Sequence, residues 1–371
     1  MAKTSQRHLY LDILKILAII MVCSYHFCWS SSISFSDPLP FSVGLRRMFF
    51  GINSTCVPLF FMVNGALLLS SSTYDMSRHF KKIFWLLIQF YLWRSLTVIF
   101  IRAYHKTPIL GAAGGGGQAL LALIDGSHNG VDLSHLWFIP VLIGLYFLYP
   151  LLYSEFHSLS IKNVSHSYIL PLTVVLFVVY FIPTAFNTLL KTPFFPHATF
   201  SGLTNMLPFS GLSGPMLLYF LLGGILHTNQ IGIQRVPFWV PISGLILGML
   251  ALYYRWYLES SLSQSTWDSV FGGYVTSPCL LMSISLFTLA AKLPFSKIQG
   301  IPRKLIEILG SNTLAVYYWH WIVGYTVLST IASHVTQYGF FINIIKSVLL
   351  VVILSFISHF IKKIPFLRKL I

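Results

Sequence analysis

Charge is what this sequence lacks most. Of its 371 residues only 9% are Asp, Glu, Lys or Arg, and only 9 are acidic. An ordinary soluble chain carries roughly 25% charged residues. So few charges cannot cover a water-facing surface, so the two or three soluble domains that the length alone would suit are excluded. Disorder is excluded from the other side: apolar residues make up 56%, and disordered chains are poor in them. Cysteine is scarce too. Cys23, Cys28, Cys56 and Cys279 lie in or beside apolar runs, with no metal-type Cys-x-x-Cys spacing. They imply neither a disulfide framework nor a metal site, and read as small buried side chains. Gly114–Gly117 lacks the following Gly-Lys-Ser/Thr of a phosphate-binding loop and reads as a flexible connection. No hydrophilic stretch is long enough for a separate domain, and no internal repeat is visible.

What is present is a series of apolar runs. Several reach about 20 residues, the length that crosses a hydrocarbon core of roughly 30 Å as a helix. The expected fold is therefore all-α: a polytopic integral membrane bundle of about ten transmembrane helices. They fall near 9–29, 48–70, 80–101, 136–154, 167–183, 214–228, 237–257, 271–293, 310–332 and 340–361. Residues 1–371 are expected to form one membrane domain, with a core of about 9–360 and no fused soluble domain. The start, with Lys3 and Arg7 before an apolar run, has the outline of a signal peptide. Asp12 and Lys15 interrupt that run and no Ala-x-Ala site follows Trp29, so a retained first span is expected.

The net charge is +15, from 24 Lys+Arg against 9 Asp+Glu. In a soluble protein this balance would point to nucleic acid. Here the cations fall in short loops between apolar runs, where cytoplasmic retention explains them and no nucleic-acid partner is expected. With the N-terminus inside, fifteen Lys and Arg lie on inner segments. Six lie outside: Arg46, Arg47, Arg102, Lys106, Lys191 and Arg255. Both termini are expected in the cytoplasm, and Arg46–Arg47 is the strongest exception.

Ionisable side chains inside a span are costly and are functional candidates by default. The first span holds Asp12, Lys15 and His26. Eleven residues at about 100° each bring His26 back within roughly 20° of Lys15, about 16 Å along the axis. Asp12 and Lys15 are i,i+3 neighbours that can pair, so all three share one face. An interfacial pair and a histidine that satisfies a buried carbonyl would give the same pattern; a histidine is also a general base near neutral pH. Asn64 and Gly65 lie deep in the second span, where helix packing explains them as well as function does. Arg78, Lys81 and Lys82 form a cationic cluster at the entry to the third, suited to inner-leaflet anchoring or to phosphates. His135, Trp137 and Phe138 open the fourth span beside His128 and Asp132, where aromatic rings commonly form an interfacial belt. Trp319–His320 places a second histidine inside the ninth span.

Taken together, four stretches resemble the membrane acyltransferase-3 family of bacterial glycan O-acyltransferases. They are Tyr10-Leu-Asp-Ile-Leu-Lys-Ile-Leu-Ala-Ile-Ile-Met-Val-Cys-Ser-Tyr-His26, Val57-Pro-Leu-Phe-Phe-Met-Val-Asn-Gly-Ala-Leu-Leu68, His135-Leu-Trp-Phe138 and Ser311-Asn-Thr-Leu-Ala-Val-Tyr-Tyr-Trp-His320. Their order and spacing carry the resemblance, which extends over roughly 9–360. The second and third stretches most resemble the small stand-alone members that O-acetylate surface polysaccharides, those acting on enterobacterial common antigen and O-antigen included. The family's first-helix signature is an arginine, ten residues and a histidine; here Lys15 stands in place of the arginine and His26 matches. Lysine keeps the charge and loses the bidentate fork. The family's Arg-x-x-Arg pair near the third helix is absent, the region reading Arg78-His-Phe-Lys-Lys82.

The resemblance implies an O-acetyltransferase of the bacterial inner membrane. It would use acetyl-CoA as co-substrate, without metal or resident cofactor, and act on a glycan or lipid-linked glycan hydroxyl. His26 is then expected to be the catalytic base, with Lys15 and Asp12 in support. Arg78, Lys81 and Lys82 would meet the anionic donor. His135, Trp137, Asn64 and His320 would meet the acceptor, and membrane lipids would surround the bundle. Two other classes fit the composition. A transporter or flippase of a polar or lipid-linked solute would also hold buried charges near its midplane, but would show inverted repeats or paired broken helices, which are not seen. A membrane sensor would need a soluble signalling domain.

Overall fold

The computed structural model describes residues 7–28, 41–106, 133–161, 168–190, 211–263, 267–324, 326 and 340–371. His128, Asp132 and Gly114–Gly117 lie outside them. The described residues are mostly helical, with no strand among them. The expected all-α membrane class is the one observed.

The chain starts with α1, Leu9–Cys28. The second expected span is divided into α2, Phe41–Gly51, a 3₁₀ turn at Ile52–Thr55, and α3, Cys56–Leu69. Pro58 sits in the first turn of α3, where its missing N–H costs nothing. Helix α4, Met76–Tyr104, is capped by Asp75, whose side chain accepts from the Arg78 amide. A 3₁₀ turn at Ser134–Trp137 leads into α5, Phe138–Ile161. Then come α6, Ile169–Leu176, and α7, Ile182–Leu190, joined by a π-helical turn at Phe177–Phe181. Next are α8, Ser213–Thr228, the short α9, Gln230–Arg235, and α10, Trp239–Ser263. Helix α11, Ser277–Lys292, is capped by Thr276. The ninth expected span is preceded by a separate amphipathic helix. This α12, Gly300–Ser311, ends one residue before α13, Thr313–Val323. The last helix is α14, Phe340–Ile361.

Among the described residues, six segments are long and apolar enough to cross a bilayer: Leu9–His26, Gly44–Leu69, Met76–Tyr104, Ser134–His157, Ile169–Asn187 and Ile342–Ile361. Ser213–Thr228 and Ser277–Lys292 are apolar but shorter. The remaining two expected spans appear as α10, which carries Arg255 and Glu259, and as the short α13.

Helix α1 lies at the centre, against α3, α11, α12, α13 and α14. Leu11, Leu14, Ala18, Ile19 and Cys23 are fully buried. Phe84, Phe147, Leu151, Leu247, Leu349 and Ile353 are exposed on the outside. In water such a surface would aggregate; in lipid it is what a helical bundle requires. Close approach of α3 and α8 depends on glycine. A Cβ on Gly65 would overlap the carbonyl of Phe220, and one on Gly223 that of Met62. Gly310 of α12 likewise leaves room for the Asp12 side chain of α1.

Candidate active site

Helix α1 presents two polar regions, one at each end, to two helices laid one after the other along it. Asp12 faces α12 and His26 faces α13. Between them the helix is apolar.

At the basic end Asp12 is only 3% exposed and is held from both sides. Arg7 Nε lies 2.6 Å from one carboxylate oxygen and Lys15 Nζ 2.7 Å from the other. Arg7 also donates to the Glu307 carbonyl, and Lys362 to that of Ser311. Burial pushes the Lys362 ammonium below its ordinary pKa, and the charge of Lys15 pushes it the same way. Lys15 is therefore committed to Asp12, about 16 Å along α1 from His26.

At the other end three imidazoles meet. The His26 ring is 5.3 Å from that of His320, and the His135 ring is 5.7 Å from His320. Trp321 packs between them: His135 stacks on it at 4.3 Å, and His26 meets it edge-on at 4.6 Å. His320 Nδ1 is 2.5 Å from the Tyr317 carbonyl. A carbonyl only accepts, so that nitrogen carries the hydrogen and Nε2 of the neutral ring presents its lone pair. This Nε2 is buried with no hydrogen-bond partner among the described residues, as are both ring nitrogens of His135. Buried polar atoms left without partners are rare, and they ask for a ligand or water.

The Ser134–Trp137 turn is fixed by Tyr317, whose hydroxyl donates to the His135 carbonyl. Tyr25, one residue before His26, donates to Asp268 at 2.6 Å. The other Asp268 oxygen accepts from the amides of Val270 and Phe271. One carboxylate thus shapes the turn after α10 and ties it to the end of α1. Two of the three histidines, His26 and His135, wall a cavity of about 70 Å³ that Tyr25, Trp137, Phe271, Tyr274 and Tyr317 also line; His320 lies behind them. A single water needs roughly 10–15 Å³ on the same measure, so the cavity admits a small hydroxyl-bearing group.

The other candidates lie elsewhere. Asn64 accepts from the Tyr146 hydroxyl at 2.9 Å and donates to the Phe60 carbonyl. It belongs to the α3–α5 contact rather than to the cavity wall. Arg78, Lys81 and Lys82 are exposed at the start of α4. Arg78 reaches Asp75 only at 3.9 Å, with both side chains largely in solvent, a pairing of little energetic weight. Lys82 lies over the Tyr146 ring at 4.7 Å. Reasoning from sequence missed Tyr25, Asp268, Tyr274 and Trp321. Two of these adjoin singled-out histidines, and Asp268 is one of only 9 acidic residues. No metal-holding cluster of His, Cys, Asp or Glu is found among the described residues.

Fold and site define a class: a polytopic helical membrane protein with a buried histidine-walled cavity, suited to moving a proton to or from a small group. The family follows from the sequence as a whole. The profile of the acyltransferase-3 family, described as an acyltransferase domain, matches residues 8–360, and the chain belongs to that family: it is a membrane acyltransferase. No curated protein and no solved structure matches it.

Proposed function

We propose that this protein transfers an acetyl group from acetyl-CoA to a hydroxyl of a cell-surface polysaccharide or its lipid-linked precursor. In this reading it sits in a bacterial inner membrane with both termini in the cytoplasm. The observation that carries the reading is a cavity walled by His26 and His135, with His320 packed behind them, in a chain of the acyltransferase family. The fifteen-to-six distribution of cations supports the orientation. In this reading the basic end faces the cytoplasm, where the donor is made, and the cavity faces the acceptor.

His26 takes the proton of the acceptor hydroxyl as the oxygen attacks the thioester carbonyl. The tetrahedral intermediate collapses, the carbon–sulfur bond breaks, and the imidazolium returns the proton to the departing thiolate. The products are an O-acetyl ester and coenzyme A, with no net change at the histidine. His320, with Nε2 free to accept, and His135 hold the hydroxyl or relay its proton. Trp137 and Phe271 offer faces on which a sugar ring can stack. Asp12 and Lys15 brace α1 at the donor side. The exposed Arg78, Lys81 and Lys82 draw the polyanionic donor toward the inner face by long-range attraction.

The test is glycan acetylation in a strain lacking the gene and complemented with each variant at matched membrane levels. Wild type restores acetyl groups on the glycan, and His26→Ala does not. Acetylation persisting with His26→Ala would overturn the assignment of the base. A wild type that never transfers label from acetyl-CoA would overturn the reaction.

A further inference from the structure

The segment after α14 does something unusual for a membrane protein. Pro365 stops any helical continuation, and the chain runs on through turns and a short 3₁₀ stretch at Leu367–Lys369. It does not leave the bundle. The Lys369 carbonyl accepts from Gln89 at 3.0 Å, and the Leu370 carbonyl from Trp93 Nε1 at 2.8 Å. Lys369 Nζ lies over the Trp85 ring at 5.1 Å, and Ile371 packs against the core.

The contact with Trp93 lies deep. Helix α4 has 29 residues, about 43 Å at 1.5 Å per residue, against a hydrocarbon core of roughly 30 Å. Trp93 is about 26 Å from its start and about 17 Å from its end. Whichever end of α4 protrudes, Trp93 falls inside the hydrocarbon layer. Non-helical backbone at that depth survives only inside protein or along a water-filled cavity. Lys363, Arg368 and Lys369 are exposed, and such charges do not face lipid. Water must reach this segment.

The wall that it faces is polar and unfinished. Trp93 stacks on Tyr318 at 5.4 Å and meets Trp319 at 4.8 Å. Tyr318 is two residues from His320, on the same helix. The Tyr318 hydroxyl, Trp319 Nε1 and Gln89 Oε1 are buried without hydrogen-bond partners among the described residues. Charge is also unbalanced here. Residues 362–371 hold Lys362, Lys363, Arg368 and Lys369 and no acid. Lys362 stands beside Lys15, whose partner Asp12 is already shared with Arg7.

We propose that residues 362–371, together with Gln89 and Trp93 of α4, form a hydrated cationic vestibule that binds the phosphate groups of a coenzyme A thioester. Arg368 and Lys369 are its main phosphate ligands. This rests on the donor reading above and assigns that donor its site. The phosphates meet the cations of the segment. The amide-bearing arm runs along the α4–α13 wall, where Gln89, Tyr318 and Trp319 supply the missing hydrogen bonds. The thioester emerges beside His320 and His26. Phosphate esters reach such a site either from coenzyme A or from anionic lipid headgroups, and the experiment separates the two.

The experiment measures binding of coenzyme A and of adenosine 3′,5′-bisphosphate to the full chain in neutral-lipid nanodiscs, and of the full chain to vesicles with and without phosphatidylglycerol. Arg368→Gln with Lys369→Gln should weaken both nucleotides at least about tenfold, as loss of charge-assisted phosphate contacts does. Arg368→Lys with Lys369→Arg should stay within about threefold of wild type. Lys81→Gln with Lys82→Gln should weaken binding less than the segment variant. Unchanged nucleotide affinity in the Gln pair would overturn the proposal. So would equal loss in the charge-conserving pair, or an effect confined to phosphatidylglycerol vesicles. A wild type that binds no coenzyme A would instead overturn the donor reading beneath it.

Discussion

The two ends of α1 are built on opposite terms. At the basic end each oxygen of Asp12 has a cation within 2.7 Å, and Arg7 and Lys362 also reach backbone carbonyls. At the histidine end three ring nitrogens, on His135 and His320, are buried with no hydrogen-bond partner among the described residues. Helix α1 thus runs from a carboxylate satisfied within the protein to a histidine whose neighbours, His135 and His320, lack partners among the described residues. The difference teaches where to look for chemistry: ionisable groups in a membrane are costly at either end, but only the unsatisfied ones gain by meeting a substrate. A satisfied cluster holds helices in place.

If that contrast is right, substitutions at the two ends should fail differently. The largest effect on activity is expected from His26→Ala. Removing a general base costs about 10²–10⁴ in rate, with membrane level and thermal stability near wild type, measured by acetyl transfer per mole of purified protein. Comparable loss of both folding and activity would erase the distinction.

Next comes Asp12→Ala at the other end. It removes the two charge-assisted contacts to Arg7 and Lys15, each worth about 1.5–3 kcal/mol at most because both cations keep contact with solvent. It should lower the yield of folded protein and its unfolding temperature. Lys15→Arg keeps the pair and should fold and act like wild type. A fully stable but inactive Asp12→Ala protein would mean that the basic end takes part in the chemistry.

A smaller effect is expected from Tyr25→Phe, which removes a hydrogen bond to a carboxylate worth about 1.5–3 kcal/mol. The turn at Asp268 keeps its bonds to Val270 and Phe271, so folding should hold while the acceptor KM rises about tenfold. No change in KM would remove Asp268 from the site. The smallest effect is expected from replacing Arg78, Lys81 and Lys82 together with Gln. Exposed charges act at a distance and are screened. A fall of about two- to threefold in donor capture, vanishing at high salt, would fit steering; a loss that persists at high salt would give these residues a direct contact.

Much of this contrast is legible in the amino-acid sequence. The i,i+3 spacing of Asp12 and Lys15 is enough to propose their pair, because helical geometry decides it locally. The eleven-residue interval to His26 puts it on nearly the same face. What the interval cannot say is which helices cover that face. Gly310 opposite Asp12 and His320 opposite His26 lie about three hundred residues away in the chain. Asn64 shows the reverse case. It stands out in the sequence as a polar residue deep in a span, and its partners Tyr146 and Phe60 make it part of a helix contact. Asp268 gives no signal of its own because it lies in a turn with no period, and its meeting with Tyr25 spans 243 positions.

The sequence by itself determined the solvent and the architecture. With 56% apolar and 9% charged residues, burial in lipid is the only favourable state, and runs of about 20 apolar residues can satisfy their backbone there only as helices. It also determined which side chains are too costly to be ornamental. Only the tertiary structure decided which of them are satisfied. It closed Asp12 between two cations, set His26 and His135 in the wall of a cavity, and left ring nitrogens of His135 and His320 without partners among the described residues. It also folded residues 362–371 back against Gln89 and Trp93, beside the helix that carries His320. The physical reason is range. Helix formation and bilayer length are settled within a few turns of chain, whereas satisfaction of a buried polar atom depends on partners that only packing brings within about 3 Å.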